Sequence, residues 1–162
     1  MRYLTIILTV FPLLSFGQTN RVIEKTADEL TGMWLLERYE RDSLVLTQEI
    51  QNNTFIEKTF IKSKLTKTEE SQGGYAIELS FDSNGQGSHQ EYYEFQLKGR
   101  ADDWVEINTD QPIPELKIRN GEVYIHMTYM MGEGTENIVT LTETSLELLN
   151  QDGIRRTFKR LK

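Results

Sequence analysis

From Tyr75 to the end, the chain alternates apolar and polar residues with a period of two, and most of its runs end in a turn signal. Patterning of this kind confines a chain to antiparallel β architectures. Tyr75–Asp82 is the clearest run, with Tyr75, Ile77, Leu79 and Phe81 on one face and Ala76, Glu78, Ser80 and Asp82 on the other. Ser83-Asn84-Gly85 supplies a tight hairpin turn, and the return strand over His89–Lys98 sets Tyr93, Phe95 and Leu97 against Tyr92, Glu94 and Gln96. Trp104–Asn108 reads as a short strand, and Pro112 and Pro114 as a loop. Leu116–Arg119, an Asn120-Gly121 turn and Glu122–Met130 follow, with Val123, Ile125, Met127 and Tyr129 on one face. Met131-Gly132-Glu133-Gly134 reads as a break. Glu136–Thr142, Ser145–Leu149 and Ile154–Leu161 close the chain, the last two joined through Asp152-Gly153.

Ahead of Tyr75, Gly32–Arg41 reads as a strand. Thr26 and Glu29 have capping-box spacing, which predicts one helical turn before that strand. Ser43–Gly74 is long and polar, compatible with an extra hairpin or a short helix, with strand favoured for Thr54–Lys62. The fold class is therefore all-β, an antiparallel meander of about eight to ten strands that closes most easily into an up-and-down barrel.

The N-terminus reads as an export signal. Arg2 precedes an apolar run from Tyr3 to Leu14, and Ser15 and Gly17 are small residues placed for cleavage after residue 17. That run is too short to span a bilayer, which takes about 20 residues, and no later stretch is apolar enough to do so. The expectation is a periplasmic or secreted protein with a polar leader at 18–26 and one domain at 27–162. Removing 17 of the 162 residues leaves all 25 acidic residues against 17 basic ones, a formal charge of −8. Such a surface disfavours nucleic acid and anionic lipid as partners. The absence of cysteine rules out a disulfide framework, a thiolate metal site and a thioether-linked lipid anchor, so stability rests on a hydrophobic core.

Leu30-Thr31-Gly32-Met33-Trp34-Leu35-Leu36-Glu37, with Gly-x-Trp at the entry to the first strand, resembles the lipocalin and lipocalin-like families, and most closely the small lipocalin-like proteins exported by Bacteroidetes. Leu79–Gly85 is similar to a conserved hairpin of those proteins, and Leu141–Leu148 with Asp152-Gly153 and Phe158-Lys159-Arg160 to their closing hairpin. The resemblance implies that Gly32 and Trp34 form a structural signature, with Trp34 plugging the closed end and an arginine of the last strand across its ring. Arg156 and Arg160 share that strand face, and Arg160 is preferred because its distance from the turn suits the far end. The Thr-Asp-x-x-Tyr pattern of many classical lipocalins is absent.

No nucleophile elbow, phosphate loop, dinucleotide fingerprint or His-x-x-x-His spacing is present, so the reading is non-enzymatic and without cofactor or metal. His89 pairs with Glu91 on one face, His126 lies among Tyr124 and Thr128, and Asp102-Asp103 is an acidic loop pair. The aromatic residues carry the functional expectation. Tyr75, Ile77, Leu79, Phe81, Tyr93, Phe95, Ile125, Met127 and Tyr129 are expected to line a barrel that binds a small hydrophobic ligand. The alternative is a filled barrel acting as a protein-interaction module of the cell envelope, docking an unnamed partner through residues 43–74, the loop ends or the outward aromatics Tyr92 and Tyr124.

Overall fold

The computed structural model of the chain describes residues 11–52, 54–95 and 112–161. A helix, α1 (Phe11–Leu30), precedes eleven strands: β1 (Gly32–Arg41), β2 (Leu44–Gln51), β3 (Thr54–Ile61), β4 (Lys64–Ser71), β5 (Gly74–Phe81), β6 (Gly87–Phe95), β7 (Ile113–Arg119), β8 (Glu122–Tyr129), β9 (Gly132–Leu141), β10 (Ser145–Asn150) and β11 (Arg155–Arg160). They form one antiparallel sheet in the order β4-β3-β2-β1-β11-β10-β9-β8-β7, with β5 added to β1 and β6 to β5.

The sheet forks at β1. One edge of β1 runs along β11, while the other is divided: Gly32–Leu35 pair with β5 and Arg38–Arg41 with β2. A bulge between Leu36 and Arg38 sits at this point, and the extra residue turns the strand so that both branches can leave it. Gln48 of β2 bridges the gap where β1 and β5 part. Its Nε2 donates to the Leu36 carbonyl at 2.9 Å, and its Oε1 accepts the Tyr75 N–H at 2.8 Å. A Cβ on Gly74 would lie 2.5 Å from the Phe55 ring and 2.8 Å from Gln48 Oε1, so glycine is what admits both side chains. At the other end of the sheet, an isolated Gln86–Glu115 bridge and a 2.7 Å bond from the Leu116 N–H to the Gly85 carbonyl tie the β5–β6 turn to β7.

Cross-strand partners share a face, and the ladders place Trp34, Ile77, Leu79, Leu116, Ile125, Met127, Leu146, Leu148 and Phe158 in one contiguous buried cluster. α1 adds Ile23, Ala27 and Leu30, spaced to fall on one helix face. A second cluster lies on the opposite face, where Phe55 of β3 covers Leu35, Ala76, Tyr92 and Phe95.

Several sequence expectations are revised. Residues 18–26 and the Thr26–Leu30 stretch both belong to α1, and Thr26 is no cap: its hydroxyl donates to the Val22 carbonyl one turn back. Segment 43–74 holds three strands, including the expected one from Thr54. The β7 strand begins at Ile113 rather than after the prolines. Pro114, buried opposite Met127, is tolerated because β7 is an edge whose outer side, among the described residues, is met only around Glu115 and Leu116 by the β5–β6 turn. The break falls at Met130-Met131, and Gly132–Gly134 already pair with β8. Trp104–Asn108 and Asp102-Asp103 lie outside the described residues.

Candidate functional site

The interior face has two ends of different character. At the α1 end, the last carbonyls of the helix have no partners within it, the condition of any helix C-terminus. Two interior side chains take them up. Trp34 Nε1 donates to the Leu30 carbonyl at 2.8 Å, and Arg160 donates through Nη1 to Thr31 at 2.9 Å and through Nη2 to Glu29. The Arg160 guanidinium also lies 4.2 Å from the centre of the Trp34 ring. A cation at a helix C-terminus and over an indole face is favourable on both counts. Gly32 stands where a Cβ would meet Arg160 Nη1 at 2.9 Å. The Gly-x-Trp pair and the terminal arginine thus form one device that caps the helix and covers the main buried cluster at that end.

Two turns of alternation back along β11, Arg156 occupies the same face at the opposite end. Its Nη2 donates to Glu136 Oε1 at 2.6 Å. Around this pair stand Tyr75 and Ile77 of β5, His89, Glu91 and Tyr93 of β6, and Tyr129 of β8; Ile77 opposes Glu91, Leu79 opposes His89, and Ile125 opposes Glu136. Glu91 accepts the Tyr93 hydroxyl at 2.6 Å and lies within reach of the Tyr75 hydroxyl. Tyr75 packs edge-on against Tyr93 with ring centres 5.2 Å apart.

Burial sets the protonation of this cluster. It pushes His89 down to about 4, with Glu91 opposing the shift and Arg156 assisting it, so the imidazole is neutral at pH 7. Its Nε2 stands 3.8 Å from Glu91, and Nδ1 has no hydrogen-bond partner among the described residues. Burial also raises Glu136, with Arg156 pulling the other way, and leaves its Oε2 unpartnered among the described residues. Burial works to lower Arg156, but Glu136, Tyr75, Glu91 and Tyr129 together hold it above its ordinary value. The hydrogen bond to Glu91 and burial move Tyr93 up to about 12, while burial and then Glu91 lift Tyr75 well beyond the ordinary tyrosine range. Glu136 and His89 are each only 5% exposed, so these free atoms are shielded from bulk water.

The nine residues expected to line a ligand separate into three groups. Ile77, Leu79, Ile125 and Met127 are fully packed in the central cluster, with Tyr75 and Phe81 against its margin. Tyr93 and Tyr129, 44% and 40% exposed, stand at the polar end. Phe95 is on the other face altogether. The β5–β6 ladder pairs Ala76 with Tyr92 but Gly74 with Phe95, so β6 carries one extra residue and its alternation changes phase. For the same reason of covering by β3, Tyr92 is buried rather than outward, and its hydroxyl donates to Glu78 at 2.8 Å. Tyr124 is half-buried beneath Arg119. His126 points away from the interior, 3.9 Å from Glu133.

Glu136 gives no signal in the sequence, where it stands at the first position of an expected strand, and Arg156 reads only as a rival of Arg160. His89 and Glu91 are visible as a same-face pair, though not as members of a charged cluster. No group of three metal-ligating side chains occurs among the described residues, and no described helix is long and apolar enough to cross a membrane. Two clefts of 360 and 450 Å³ flank α1, one beside Asp28, Thr142 and Arg160, the other beside Asn20, Glu24 and Asn84. Compared with protein-family models, curated proteins and solved structures, the chain matches none.

Proposed function

We propose that β1 and β5–β11 close into an eight-stranded lipocalin-like barrel, and that this exported, non-enzymatic protein carries a small, largely apolar molecule at its polar end. Closure is supported by the bridge and hydrogen bond that draw the β5–β6 turn onto β7, the two strands left at the ends of the series. The carrying role rests on one observation: the end beside α1 is apolar packing with one unpartnered buried atom, Arg160 Nε, whereas the other end presents aromatic rings and two such atoms, Glu136 Oε2 and His89 Nδ1, around a buried ion pair. A filled core of natural density leaves few such atoms unmet, because each costs about 1–3 kcal/mol. The apolar cluster is then the floor of a cup, and Tyr75, Tyr93 and Tyr129 are its wall.

N-phenyl-1-naphthylamine, a neutral probe that fluoresces in apolar surroundings, tests the cup. Saturable binding of one probe per chain is expected, with native mass spectrometry of protein from its own host showing an extractable bound mass. A bare chain that also fails to bind the probe would overturn the proposal. A second reading, a filled barrel that docks a protein, is favoured by the β2–β4 branch, where every residue of β4 is exposed and Ile61 and Leu65 add apolar surface. It predicts the bare chain together with a partner whose recovery is lost in Ile61→Ser, Leu65→Ser protein.

A further inference from the structure

The polar end of the interior is unbalanced in charge. Glu136 and Glu91 both face Arg156, which gives two formal negative charges to one positive, and His89 beside them is neutral. Arg156 satisfies only Glu136 Oε1. Oε2 of the same carboxyl group, on a side chain 5% exposed, has no donor among the described residues. His89 Nδ1, equally buried, is the second free atom. A buried carboxylate oxygen without a donor is costly, and a donor that also carries positive charge relieves that cost most fully.

No hydrogen bond reaches that oxygen from the cluster around it, Tyr129 and His89 included. The Tyr93 hydroxyl is committed to Glu91, Tyr75 lies against Glu91 as well, and Arg156 is the cation already paired. The rings of Tyr75, Tyr93 and Tyr129 offer faces on which a cation is favoured further. The chain as a whole carries a formal charge of −7, which draws cations toward it and repels anions. We infer that the molecule held in the cup carries a protonated amine that pairs with the carboxylates of Glu136 and Glu91, its apolar body lying over the packed floor.

This inference rests on the cup proposed above, and the experiment separates the two. Dodecylamine, dodecanol and dodecanoate share one chain and differ only in head group, and each is titrated against bound N-phenyl-1-naphthylamine. Dodecylamine is expected to displace the probe at least about tenfold more tightly than dodecanol, since a charge-assisted hydrogen bond replaces a neutral one, with dodecanoate the weakest. Glu136→Gln is expected to bring the amine-to-alcohol ratio within about threefold, because it keeps the shape and removes the charge. Glu91→Gln, which leaves the Arg156 pair intact, provides a second variant should the first not fold, and it is expected to reduce the same ratio. Equal displacement by all three molecules overturns the amine and leaves the cup standing. An amine preference that both variants retain also overturns it. Failure of the probe to bind a chain that also yields no extractable mass overturns the cup.

Discussion

Arg156 and Arg160 stand four residues apart on one face of one strand, yet they do opposite things. Arg160 directs its two terminal nitrogens to the carbonyls of Glu29 and Thr31 and lays its flat side on Trp34, so its partners among the described residues are neutral. Arg156 faces a carboxylate in a buried setting and leaves half of that carboxylate free. The first arrangement covers one end of the buried cluster with neutral partners and leaves a single N–H, Arg160 Nε, without a partner among the described residues. The second holds a charge the fold does not fully answer. A residue type on a given face therefore says little about role, and the partner that the topology brings to it says nearly everything.

Replacing each arginine with methionine, which keeps much of the stem, separates the two roles. Arg156→Met should cost about 3 kcal/mol at pH 7, because Glu136 is left buried without its counter-charge. That cost should shrink in acid. Glu136 already titrates above its ordinary value in the folded protein, and loss of Arg156 removes the group that opposes the rise. A carboxyl group raised in the folded state binds its proton there first as the pH falls, which favours folding. Urea unfolding of the variant and the parent at stepped pH measures the difference, and a cost that is flat from pH 7 to 4.5 would contradict the charge on Glu136.

His89 gives the next largest effect, with the opposite sign. Burial holds it neutral down to about 4, whereas the unfolded chain protonates near its ordinary value of 6.5. Between those limits the unfolded state binds the extra proton, so stability is full above pH 6.5 and is lost as the pH falls toward 4. The loss amounts to about 2–3 kcal/mol for this residue. His89→Gln removes it, so the parent should lose that much more than the variant between pH 7 and 4. Equal pH dependence in the two proteins would show that His89 is not held as a neutral buried group.

The sequence made the β architecture legible where strand boundaries carry glycine or asparagine-glycine, as at Asn84-Gly85, Asn120-Gly121 and Asp152-Gly153. It was least legible from Ser43 to Gly74. The β3–β4 turn there is Lys62-Ser63, both with positive φ, and neither residue advertises that conformation. The fork was hidden for a different reason. It depends on a bulge in β1 and on Gln48 reaching two strands, and period-two alternation carries no trace of either. The bulge in β6 had the same effect on the site, moving Phe95 to the outer cluster while leaving Tyr93 inside. Trp34 and Arg160 were readable as a pair through resemblance. The cluster of Glu136, Arg156, Glu91 and His89 joins β6, β9 and β11, and such long-range company is written only in the pairing of strands.

Arg160→Met carries the smallest expected change and completes the comparison. It removes a stacked cation and the donors to Glu29 and Thr31, but the carbonyls at the helix end are close enough to solvent to find water. The expected cost is about 1–2 kcal/mol, the combined scale of a cation–π contact and a net hydrogen bond. No carboxylate is stranded by the change, so the cost should be the same at pH 7 and pH 4.5. A pH-dependent loss here would mean that Arg160 also answers an acidic group, and the contrast between the two ends of β11 would fail. If the loss is flat for Arg160→Met and sloped for Arg156→Met, the two ends are distinguished by charge alone, since strand, face and residue type are held constant.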